Sequence, residues 1–73
     1  MALSNSQRVT LQVLYNNRPN KMNYKEISKQ ATGVRPMDIS NALKSLANKD
    51  YVYQLDGQGK TTITGDGISA LMS

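Results

Sequence analysis

The chain has 73 residues and a formal net charge of +4, which describes one small basic domain, 1–73, whose core holds about a dozen large apolar side chains. It contains no cysteine and no histidine. Disulfides and cysteine metal sites are therefore excluded, and acid–base chemistry at neutral pH is left to scattered carboxylates, lysines and tyrosines, so no enzyme, cofactor or metal is expected.

No apolar run approaches the roughly 20 residues of a membrane span, and no signal-peptide core follows Met1. A cytoplasmic protein with no membrane partner is the expectation. The first charges along the chain, Arg8, Arg18, Lys21 and Lys25, are all basic. That bias raises the odds of a polyanionic partner, and from charge alone a solvated basic surface that merely keeps the protein soluble is an equal alternative.

The polar run Ser4 to Ser6 can cap a first helix, with Ser6 the expected N-cap. Its apolar residues Val9, Leu11, Val13, Leu14 and Tyr15 are out of clean phase, which leaves open whether Val9 or Leu11 lies deeper. The run Asn16-Asn17-Arg18-Pro19-Asn20 ends it, because the residue before proline avoids helical backbone and asparagine tolerates turns. Met22 is expected as a minimal strand. Asn23 and Glu26 are spaced as a capping box, so a second helix starts at Tyr24. Tyr24, Ile27 and Ala31 would face inward. Small Ser28 would let the next helix cross closely, and Val34 would plug the turn. Thr32-Gly33 would stop this helix, with Gly33 in left-handed backbone.

Pro36 suits the first turn of a third helix, where its missing N–H costs nothing, and Asp38 complements the positive helix end. Ile39, Ala42, Leu43, Leu46 and Ala47 form one stripe at helical period through to about Lys49. The opposite face shows Met37, Ser40, Asn41, Lys44, Ser45 and Asn48. A helix with one buried face, one small polar and basic face and a partner helix just before it is suited to a DNA groove. Asp50 stands where glycine often ends a helix and would take left-handed backbone at some strain.

Tyr51 to Leu55 and Lys60 to Thr64 read as two strands joined by the turn Asp56-Gly57-Gln58-Gly59. Tyr51 and Tyr53 are expected to pack rather than to stack on bases. Thr64 can cap a short last helix carrying Ile68, Leu71 and Met72, which Gly65 and Gly67 would weaken by nearly 1 kcal/mol each. Those apolar residues either complete the core or form a homodimer patch.

The order helix, short strand, helix, helix, strand, turn, strand, helix resembles the winged helix-turn-helix domain. Glu26-Ile27, the Ile39, Leu43 and Leu46 positions within Asp38 to Leu46, Asp50-Tyr51-Val52 and Ile63-Thr64-Gly65-Asp66-Gly67 are similar to segments of MarR/PadR-type transcriptional regulators. The turn from Ser28 to Ile39 is slightly longer than that family's commonest pattern. The resemblance implies an α+β fold: a three-helix core, a β-wing of two or three strands and a short C-terminal helix.

It further implies sequence-specific binding of double-stranded DNA, with the third helix in the major groove and the wing on the flanking backbone. Asn41 would pair with adenine, and Lys44 or Arg35 would reach guanine or phosphate, with Ser40, Met37 and Ser45 beside them. Asp38 would accept from cytosine or cap its own helix. Lys25, Lys29 and Thr32 would lie where the second helix crosses the backbone, and Lys60 would be the only cation of the wing tip. The alternative is a protein-interaction module of the same fold that does not read DNA.

Overall fold

The structure, a computed structural model, describes residues 3–73. Its elements in chain order are α1 (Asn5–Asn17), α2 (Tyr24–Gln30), α3 (Pro36–Asn48) and α4 (Gly65–Met72). The third helix is central and packs against both α1 and α2, while α4 lies against α1. Leu11 and Leu14 of α1, Ile27 of α2 and Ile39, Leu43 and Leu46 of α3 are fully buried together, joined by Val52, Ile63 and Leu71 from the C-terminal third. Between Val9 and Leu11, Leu11 is the deeper; Val9 is only half-buried.

Local chemistry sets most helix ends. The N-cap of α1 is Ser4, two residues before the expected Ser6. Ser4 Oγ accepts the Gln7 N–H at 3.3 Å while Gln7 Oε1 accepts the Ser4 N–H at 3.0 Å, a reciprocal capping box. Ser6 instead lies inside the helix, and its carbonyl accepts from Thr10 Oγ1 at 2.7 Å. The Asn23–Glu26 box forms as expected, at 2.9 and 3.1 Å. Pro36 opens α3, and Gly33 takes a φ of 76° in the turn before it.

The end of α3 is a Schellman-type stop: Tyr51 N–H reaches the Leu46 carbonyl at 2.9 Å and Asp50 N–H the Ala47 carbonyl at 3.1 Å. Asp50 occupies the left-handed position with a φ of 61°. Thr64 Oγ1 caps α4 by accepting the Gly67 N–H at 3.0 Å.

The expected α+β class does not hold. Among the described residues the protein is all-helical, and no strand forms. Pairing is confined to two isolated antiparallel bridges, Met22 with Thr61 and Val52 with Ile63. The first is what becomes of the minimal strand at Met22. The second is all that remains of the two-stranded wing.

The reason lies in where the backbone groups go. Around the Val52–Ile63 bridge, Thr64 N–H reaches Tyr51 O at 3.1 Å and Tyr53 N–H reaches Thr62 O at 3.2 Å. A ladder would need a second bond at each of those pairs. Tyr51 N–H is already spent on α3, and the Tyr53 carbonyl accepts the Thr61 hydroxyl at 2.6 Å. Thr61 in turn exchanges both backbone bonds with Met22, at 2.9 and 3.0 Å. Beyond it the Asp56 carboxylate, rather than a facing strand, accepts the N–H groups of Gln58 at 2.8 Å and Lys60 at 3.0 Å. Residues 51–64 thus form a tethered loop, pinned to α3, to Met22 and to the cap of α4.

Gly67 does not weaken α4 in the expected way. It is buried, and a Cβ there would overlap the Tyr51 carbonyl oxygen and come within 2.7 Å of Ile63 Cγ1. The missing side chain is what lets α4 close over the loop.

Candidate nucleic-acid interface

The stripe that anchors α3 inward leaves Met37, Asn41 and Lys44 exposed and Ser40 half-exposed. These four stand at i, i+3, i+4 and i+7, so they share one face. Met37 is 73% exposed. Lys44 forms no ion pair among the described residues. The face therefore offers an amide, a hydroxyl, a thioether and an ammonium in a row about 10 Å long at 1.5 Å per residue.

Ser45, expected on this face, turns away from it. Its Oγ accepts from Gln7 Nε2 at 3.0 Å and so ties α3 to α1. Gln7 thereby serves both the α1 cap and the α1–α3 contact, and neither group is available to a ligand without breaking that bond.

Arg35 is the N-cap residue of α3 but makes no side-chain cap bond. Its Nε donates to Asp38 Oδ2 at 3.3 Å, in a pair whose side chains are 85% and 40% exposed. Asp38 therefore neither caps α3 through a hydrogen bond nor stands free of a partner. A pair this exposed is worth at most about 1 kcal/mol. A phosphate can compete for the guanidinium, and in the meantime the carboxylate is locally neutralised.

Lys25 and Lys29 are exposed and four residues apart, on one side of α2. Lys29 borders a polar hollow with Asn17, Asn20, Lys21, Glu26 and Gln30, across which Asn17 Nδ2 bonds Gln30 Oε1 at 2.8 Å. Thr32 is exposed but sits beyond the helix, in the bend after Gln30. Lys60 is not a free cation at a wing tip. It is partly buried, and its Nζ lies 3.7 Å from Glu26 Oε1, which draws it back onto α2.

The structure thus brings Met37, Ser40, Asn41 and Lys44 together on α3, leaves Arg35 paired with Asp38 at its start and keeps Lys25 and Lys29 on the neighbouring helix. It withdraws Ser45 and Lys60 and moves Thr32 into the connection.

One residue of this surface runs against expectation. Tyr24 does not face inward; it is 36% exposed and lines a hollow with Pro36, Met37 and Ser40. The signal was its place directly after the N-cap Asn23, in a first turn that leans over the start of α3 rather than into the core.

Two arginines are committed elsewhere. Arg18 stacks over the Tyr15 ring at 3.9 Å and donates to the Tyr15 carbonyl at 3.0 Å. Arg8 reaches the Leu71 carbonyl at the end of α4, at 3.5 Å. Among the described residues no group of carboxylates marks a metal site, and no helix is long and apolar enough to cross a membrane. Compared with known proteins, the chain matches no family model, and neither the curated proteins nor the solved structures give a significant match.

Proposed function

We propose that this protein is a small cytoplasmic regulator of transcription that binds double-stranded DNA, with α3 in the major groove. The supporting observation is the division of α3 into two faces. Ile39, Leu43 and Leu46 are fully buried, while Met37, Asn41 and Lys44 stand open to solvent. A major groove about 12 Å wide admits a helix of about that diameter. Asn41 has the donor–acceptor pair that adenine presents, and Lys44 suits guanine or a phosphate. Lys25 and Lys29 supply cations for the flanking backbone.

The test is an amide NMR titration of the full chain with random-sequence duplexes at two salt concentrations. Shifts confined to Met37–Lys44 and the α2 lysines, weakening steeply with salt, are expected. No binding at low salt would end the proposal.

A second reading, a protein-interaction module, is favoured by the exposed Tyr24 and Met37. A stoichiometric protein partner on the Asn41 face that duplex DNA fails to displace would decide for it.

A further inference from the structure

Two of the largest exposed apolar side chains meet at one point. Met37, in the first turn of α3, and Tyr24, in the first turn of α2, line the same hollow with Pro36 and Ser40. Their exposure, 73% for Met37 and 36% for Tyr24, is high for groups that gain from burial. Neither side chain belongs to the apolar cluster of the core.

The surroundings narrow what covers them. Lys25 follows Tyr24 and Lys44 lies two turns along α3, both exposed and neither in an ion pair among the described residues. The acids nearest in sequence are both paired, Asp38 with Arg35 and Glu26 with Lys60. An apolar spot framed by cations, with its carboxylates neutralised, matches an apolar group carried on a polyanion. Duplex DNA presents one such group in the major groove, the C5-methyl of thymine.

We infer that Met37, backed by Tyr24, reads the methyl group of a thymine in the target site. The inference rests on the DNA-binding proposal and adds what that proposal leaves open, the identity of a base. Geometry also places the thymine. Met37 and Asn41 are separated by about 6 Å along the helix axis, at 1.5 Å per residue. Base pairs rise about 3.4 Å each. The thymine read by Met37 therefore falls within about two steps of the adenine read by Asn41. An unbranched thioether suits the task, because it adapts to the groove wall around a methyl group.

The test begins by selecting preferred duplexes from a randomised library with the full chain. Each thymine of the selected site is then replaced singly by deoxyuridine, which removes the methyl and nothing else, and affinity is read by fluorescence anisotropy. At one thymine within two base pairs of the adenine that Asn41→Ala ceases to distinguish, deoxyuridine is expected to weaken binding about fourfold, the worth of one buried methyl group. Met37→Ala should bind the thymine and deoxyuridine duplexes equally, with an unchanged melting temperature because the side chain is exposed.

A selected site indifferent to deoxyuridine throughout would overturn the inference and leave DNA binding standing. So would an equal loss in wild type and Met37→Ala. Enrichment of no sequence would also overturn it. Failure to bind any duplex at low salt would remove the DNA-binding proposal itself. Self-association in the absence of DNA that Met37→Ala abolishes would assign the patch to a second copy of the chain and overturn the inference.

Discussion

Gly67 shows how one missing atom organises a whole segment. With the Tyr51 carbonyl against it, a methyl at this position must displace backbone. Gly67→Ala is expected to cost about 1–3 kcal/mol, as overpacking does. Gly65, in the same helix, faces open space. Gly65→Ala should therefore stabilise the protein by about 0.4–1 kcal/mol, through a less flexible unfolded chain. Urea denaturation of both variants checks the contrast, and equal effects would contradict the close approach. Asp56 supplies a pH signature at the same scale. Hydrogen bonds from the backbone N–H groups of Lys60 and Gln58 hold its carboxyl below the ordinary range. The turn is then fully supported above about pH 4 and loses that support as pH falls through the lowered pKa. Acid titration of the Gln58 and Lys60 amide resonances should give a midpoint below the usual aspartate value; a midpoint at or above it would show that these bonds do not favour the ionised form.

Among the elements, α3 divides its labour by face. The buried stripe fixes its place against α1 and α2, and the Gln7–Ser45 bond adds a polar tie on one flank. Asn41 takes no part in either. Asn41→Ala should leave the melting temperature unchanged, while a bidentate adenine contact worth about 1–3 kcal/mol is lost, a weakening of about 5- to 150-fold on the preferred duplex. Gel-shift and thermal melts together read this. A variant that binds normally would show that Asn41 makes no base contact, and one that unfolds earlier would show that its side chain supports the fold. The loop 51–64 behaves differently from the helices. Its conformation is held by α3, by Met22 and by the cap of α4, so it follows the helices rather than standing as an independent hairpin.

Charge is distributed unevenly over the molecule. Residues 1–49 carry eight of the nine lysines and arginines and two of the five acids, and both of those acids are ion-paired. Residues 50–73 hold Asp50, Asp56 and Asp66 against Lys60 alone. If the proposed DNA binding holds, this asymmetry would orient the chain in the field of a duplex, α2 and α3 leading, and its affinity should fall steeply with salt. Lys44→Ala should reduce the slope of log affinity against log salt by about 0.9, the release of one counterion. An unchanged slope would place Lys44 away from phosphate. That outcome leaves a guanine contact as its role, which a loss of base preference in the same variant would register.

The sequence by itself determined the features that depend on neighbours a few residues apart. These include the Asn23–Glu26 box, Pro36 at the start of α3, left-handed Gly33 and Asp50, the Thr64 cap and the apolar stripe of α3. The Ser4–Gln7 box was written there too, in the same Ser-x-x-Gln spacing, although Ser6 stood as a rival cap. Tertiary structure alone decided whether residues 51–55 and 60–64 would pair. Their alternation and turn chemistry suit a hairpin, but the Tyr51 N–H is claimed by the Leu46 carbonyl, and the Tyr53 carbonyl takes the Thr61 hydroxyl instead of a facing N–H. A backbone N–H can be spent only once, and for Tyr51 the competing acceptor lies on α3, where the way that helix ends decides the outcome. The same holds for the candidate interface. The free face of α3 was legible from its period, whereas the withdrawal of Ser45 and Lys60 and the exposure of Tyr24 followed from which helices came to lie side by side.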